Sequence, residues 1–211
     1  MKTVDGLDVD KGVGGKMNKK DKRSRKTVSA IQSTLLELLC TKRVQEIKIV
    51  DLCTAADINR TTFYLHFSGI ADVLEELRSE ITERIFENID EIADFNKPKN
   101  PMPFLNVCTD VLESYPHFTD FVRMSQDADI FLSKLKKQFS QSICKHYLET
   151  CGSCMENAVY VFRFLTSGVL DTYTEWLQSD RSVSFDTILS QCAPIVAAGQ
   201  EILAKNTTES M

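Results

Sequence analysis

Apolar residues recur along this chain at intervals of three and four, and no stretch sustains alternation at two. A helix has a period of 3.6 and a pleated strand a period of two, so the spacing predicts an all-α protein. Val28, Ile31, Leu35, Leu38 and Leu39 fall on one helical face. Ile49, Leu52, Cys53 and Ala56 repeat the set over a shorter span. Leu74, Leu77, Ile81, Ile85, Ile89 and Ile92 extend it along a long helix from about Ala71 to Phe95. Further helices are expected at about 104–114, 117–125, 129–150, 154–178 and 185–204. With 8 Gly and 5 Pro in 211 residues, there is little turn chemistry for an all-β alternative.

The breaks in this pattern divide the chain. Residues 1–24 mix Gly, Lys and Asp without periodicity and read as a disordered basic arm. Residues 25–70 read as three short helices, and residues 71–205 as a larger helical body, with "NKPKNPMP" stopping the long helix. Charge follows the same division. The net charge of −5 argues against a nucleic-acid partner if taken alone. Yet residues 1–70 carry 13 basic against 8 acidic side chains, and the remainder 12 against 22. One end is built to meet an anion, or else carries a solvated basic tail. No apolar run approaches the roughly 20 residues that span a bilayer. "MKTVDGLDVDKGVGGK" lacks an apolar core of the signal-peptide kind, so a cytoplasmic location is expected.

The stretch "DLCTAADINRTTFYLHF" ends the basic end of the chain. A short apolar helix runs into Asp57-Ile58, and Asn59 is placed to cap a third helix. Two helices joined by so tight a turn have helix-turn-helix proportions, in which the second helix enters the DNA major groove. Phe63 and Phe67 form its inner face. Asn59, Arg60, Thr61 and Tyr64 lie near the start of its outer face, with His66 at the far edge. Short hydroxyls permit close approach to the groove, and Arg60 reaches a guanine or a phosphate.

"IKIVDLCTAADINRTTFYLHFSGIADVLEEL" resembles the N-terminal signature of the TetR family of transcriptional repressors, approximately I-T-V-x-D-I-A-x-x-A-G-V-S-x-x-T-F-Y-x-H-F-x-S-K-E-x-L. The likeness covers about residues 47–74 and is most specific over Thr62-Phe63-Tyr64-x-His66-Phe67. It implies a homodimeric, all-α repressor that binds a palindromic double-stranded DNA operator and is released by a small-molecule effector held in a variable body. By the same likeness, DNA contact falls to Lys48, Asn59, Arg60, Thr61, Thr62, Tyr64 and His66. For Thr62 and His66, helix packing is the competing role. Three positions depart from the signature. Its turn glycine is Asp57, tolerated because Asp enters left-handed conformations more readily than most residues. Its turn serine is Asn59, which still caps. The lysine that opens the fourth helix is Ile70, so one phosphate contact is missing or is replaced by Arg25 and Lys26.

In the body, "FLTSGVLDTYTEWLQSD" resembles the dimer-forming penultimate helix of one branch of that family. Apolar residues cover more than one stripe of this helix, so it needs partners on two sides. Phe164, Gly168 and Trp176 are the expected interface residues, in a four-helix bundle with a second copy. A monomeric core is the alternative. Phe118, Phe121, Phe139 and Tyr147 are candidates to line an effector pocket, with His117, Arg123 and His146 to orient the ligand; core packing competes for the aromatics.

Cys151 and Cys154 have C-x-x-C spacing, with Cys144 nearby. A thioredoxin-type site needs a βαβ setting, and a zinc site needs more ligands than His146 adds. Ordinary reduced thiols at a helix junction are expected, with a thiol-based response as the alternative. No Gly-rich phosphate loop and no H-E-x-x-H is present, and no histidine has a Ser or Asp partner in sequence. An enzyme is not expected, nor a cofactor or metal. The competing function from another class is a coregulator of the same fold that binds a partner protein or ligand and no operator.

Overall fold

The computed structural model describes residues 19–89, 102–151 and 158–208. In that range the chain forms α1 (Lys19–Leu39), α2 (Ile49–Ala55), α3 (Arg60–Tyr64), α4 (Ile70–Ile89), α5 (Met102–Glu113), α6 (Phe118–Met124), α7 (Ala128–Cys151), α8 (Ala158–Gln178) and α9 (Phe185–Thr208), with a 3-10 turn at Val44–Glu46. No strand occurs among the described residues, as the spacing predicts.

The apolar stripes do the packing. Ile31, Leu35, Leu36 and Leu39 of α1 are buried against α2, α4 and α6. From α4, Val73, Leu77, Ile81 and Ile85 continue the same core into the body. The expected boundary at residue 70 coincides with the start of α4, but the core runs across it without a gap. α4 also packs on α5 and α7, α7 on α8, and α8 on α9.

Two polar links tie the N-terminal helices to the body. The Val44 backbone N–H donates to the Asp127 carboxylate at 2.7 Å, and Arg43 Nε donates to Gln126 Oε1 at 2.5 Å. The turn between α6 and α7 thus holds the chain just ahead of α2. Farther along, buried Gln32 of α1 donates to Glu80 of α4 at 3.1 Å. Arg78, also buried, pairs with Glu75 and lies 5.5 Å from the centre of the Phe131 ring. Its cation keeps one solvated partner and one aromatic face, so its burial does not leave an isolated charge.

Two boundaries differ from expectation. α1 begins at Lys19, so residues 19–24, expected in the disordered arm, are helical. Lys and Arg are good helix formers, and no apolar period is needed where a helix extends beyond its core. α3 stops at Tyr64, and Phe67 is delivered to the core from the following turn. α4 starts at Ile70, while its expected end at Phe95 lies outside the described residues.

Candidate nucleic-acid interface

The turn between α2 and α3 is set by one residue. Asp57 has φ 51, the left-handed conformation that the glycine of the family signature would take freely. The chain then reverses, and the Ile58 N–H closes onto the Cys53 carbonyl at 3.0 Å. Asn59 follows in extended backbone, and its Oδ1 accepts from the Thr62 N–H at 2.7 Å. This capping bond occupies Asn59 Oδ1, which leaves its amide N–H groups for an outside partner.

Phe63 is fully buried, and Phe67 packs against it with ring centres 5.9 Å apart. These rings fix the inner face of α3. Residues two positions to either side of Phe63 point nearly opposite to it, because two helical steps turn through about 200°. Thr61 and Leu65 are those residues, and both are exposed. Arg60 and Tyr64 flank them, with Tyr64 50% exposed and held edge-on against Phe63 at 5.5 Å. Lys48 is exposed at the start of α2, and Lys22, Arg23, Arg25 and Lys26 are exposed along the first turns of α1. None of these basic residues forms an ion pair among the described residues.

Of the expected contact set, Lys48, Asn59, Arg60, Thr61 and Tyr64 are exposed. Thr62 and His66 are half-buried, with His66 beside the Phe67 ring at 6.3 Å. Ile70 turns its side chain onto the core, so the start of α4 presents no cation there. Leu65 is absent from the expected set, yet it is 77% exposed at the end of α3. Its position two residues after Phe63 and four after Thr61 carries the signal.

The described members of the expected effector pocket lie in different settings. Phe118 and Phe121 are buried in the core, where both pack against Phe131. His117 takes a left-handed backbone (φ 64) at the exposed start of α6, and Arg123 is also exposed. On a helix as short as α6, the ring positions face inward and these two polar residues cannot join them. The side chains of His146 and Tyr147 lie outside the described residues. Of the expected set, Phe139 lines one cavity among the described residues, a space of about 40 Å³ between α4, α5, α7 and α8. Cys108, Leu132 and Tyr173 line it too, and Lys136, paired with Asp171, stands at its edge. Tyr173 Oη shares a 2.7 Å hydrogen bond with Thr109 Oγ1. Burial pushes the Cys108 thiol well above its ordinary pKa.

On α8, Tyr160 and Phe164 are 71% and 74% exposed, and Gly168 lies one turn farther on with no atom of its own chain near the place of a Cβ. Trp176 behaves differently. It is half-buried, donates from Nε1 to the Val183 carbonyl at 2.9 Å, and carries the Arg181 guanidinium 4.7 Å from its ring centre. These contacts lie inside the α8–α9 hairpin. Cys40, Cys53, Cys108, Cys144 and Cys192 are free thiols, whereas the side chains of Cys151 and Cys154 lie outside the described residues. No helix is long and apolar enough to cross a membrane among the described residues.

No family model matches the chain, and no curated protein matches it. Among solved structures it is similar to a TetR transcriptional regulator from Streptococcus agalactiae 2603V. The two are 20% identical, the match covers 84% of this chain and 97% of that one, and the TM-score is 0.56. The chain has the all-α fold of that regulator, which bears out the fold expected from the resemblance over residues 47–74.

Proposed function

We propose that this TetR-fold chain is a transcription regulator, a repressor, that binds a palindromic double-stranded operator as a homodimer and is released by a small-molecule effector. The observation that carries the reading is the outer face of α3. Thr61 points away from the buried Phe63, Arg60 and Tyr64 are exposed next to it, and the exposed basic side chains of α1 and of Lys48 ahead of α2 have no acidic partner among the described residues. Cations without internal partners supply the phosphate attraction, and the short side chains of α3 supply access to base edges. Tyr160, Phe164 and Gly168 of α8 offer the second copy an apolar seat, and a two-fold dimer presents two such helices to half-sites about 34–36 Å apart. The cavity between α4, α5, α7 and α8 is far smaller than the roughly 300 Å³ of an ordinary ligand pocket. An effector taken there enters by parting those helices, and α4 carries the change to the N-terminal helices.

The test is a titration of the full chain against a duplex from beside its own gene, at several salt concentrations. Affinity should fall steeply with salt, and Arg60→Ala and Tyr64→Ala should each weaken binding roughly tenfold while helicity is unchanged. Wild-type binding by both variants would mean that α3 is not the reading helix. A coregulator that binds a partner protein is the second reading, favoured by Ile70, whose packing on the core leaves the start of α4 without a phosphate-binding cation.

A further inference from the structure

The most exposed large apolar side chain of the N-terminal helices is Leu65, at 77%. Its backbone is fixed: the Leu65 N–H donates to the Thr61 carbonyl at 3.1 Å, and φ −73, ψ −20 keep it helical at the C-cap of α3. Phe63 and Phe67 on the opposite side anchor that backbone in the core, so Leu65 cannot rotate inward without withdrawing them. A branched hydrocarbon held in water contributes no burial to the free protein, and covering it with a partner would be favourable.

The partner's chemistry follows from the setting. Leu65 stands one turn beyond Thr61 on the same face and next to Tyr64, in a stretch, residues 1–70, that carries 13 basic against 8 acidic side chains. Such a setting suits a polyanion better than an apolar protein groove. Leucine has no donor or acceptor, so it cannot read a hydrogen-bonding edge. The one apolar group that standard base pairs offer in the major groove is the C5-methyl of thymine. Resting on the operator-binding reading above, we propose that Leu65 is a specificity-determining residue that packs on a thymine methyl in each half-site.

The experiment selects duplexes from a random pool with the full-length protein, then replaces each thymine of the selected sequence by deoxyuracil, which removes only the methyl group. One symmetry-related pair of thymines should prove sensitive, with wild-type affinity falling about fourfold for each methyl removed. Leu65→Ala should bind the thymine and deoxyuracil duplexes equally at that pair, while Leu65→Met retains the discrimination. The exposure of Leu65 lets both variants keep the wild-type circular dichroism and urea midpoint. If wild type and Leu65→Ala respond identically at every thymine while sequence-selective binding persists, the thymine contact is wrong and the operator reading stands. If no sequence is enriched at all, the operator reading fails and this proposal with it.

Discussion

At Asp57 the backbone adopts a conformation that a Cβ opposes, and at Asn59 a side chain replaces a missing helical partner. Both residues shape the turn, and both were legible because their chemistry is local. An alanine at position 57 keeps the Cβ but loses the short polar group that eases the left-handed state. Asp57→Ala should therefore lower stability by about 1 kcal/mol, and Asp57→Gly should not. Asn59→Ala should cost about 1 kcal/mol through the lost cap, with Asn59→Ser retaining most of it. Urea midpoints of the four variants check the pattern; equal midpoints for Asp57→Ala and Asp57→Gly would show that φ is not the constraint. What could not be read locally was direction. Whether Leu65 points to core or solvent depends on where α3 ends, and the fate of Phe118 and Phe121 depends on Phe131, a neighbour from another helix.

Among the elements, α4 serves both halves of the molecule, since α1 packs on one part of it and α5 and α7 on the rest. Its period was plain in Leu77, Ile81 and Ile85, whereas its polar contacts to Gln32 and Phe131 required the packed structure. Its first turn is held by Asp72, whose carboxylate accepts from the Ser68 N–H at 2.8 Å and from the Ser68 hydroxyl at 3.0 Å. The backbone bond, and after it the hydroxyl, hold this carboxyl below the ordinary value of 3.8. A group depressed in the folded state stabilises above its unfolded pKa and ceases to do so as pH falls through the folded one. The stability difference between wild type and Asp72→Ala should thus be constant near neutrality and shrink below about pH 4. Urea titrations across pH 2.5–7 on the two proteins would reveal it, and a difference that persists in acid would assign the effect to packing. The beginning of α1 shows the opposite limit of legibility, since its basic turns carry no apolar period and only the backbone reveals the helix.

For the whole molecule, the order of helices was accessible from spacing, while the surfaces between them were not. A cavity is a property of four helices at once, and no single stripe encodes where packing falls short. The same holds for Trp176, whose contacts with Val183, Arg181 and Phe185 only the packed structure shows. Tyr160, Phe164 and Gly168, with Ile195 on α9, are exposed among the described residues. If the chain dimerises through this face, a charge there should oppose association without disturbing the core: wild type should sediment as a dimer and Phe164→Glu as a folded monomer. It should also lose affinity for a two-half-site operator more than for a single half-site. A monomeric wild type at micromolar concentration would remove the basis for both statements.

The thiol lining the small cavity gives the body a built-in clock. Cys108 is buried, and its raised pKa keeps it protonated, so an alkylating reagent reacts only in the moments when the helices part. In a protein whose other six cysteines are replaced, the labelling rate at Cys108 therefore counts those moments. A molecule that wedges the helices open would quicken it, and one that fills the space behind them would slow it. The small cavity thereby becomes a meter of how often these helices open.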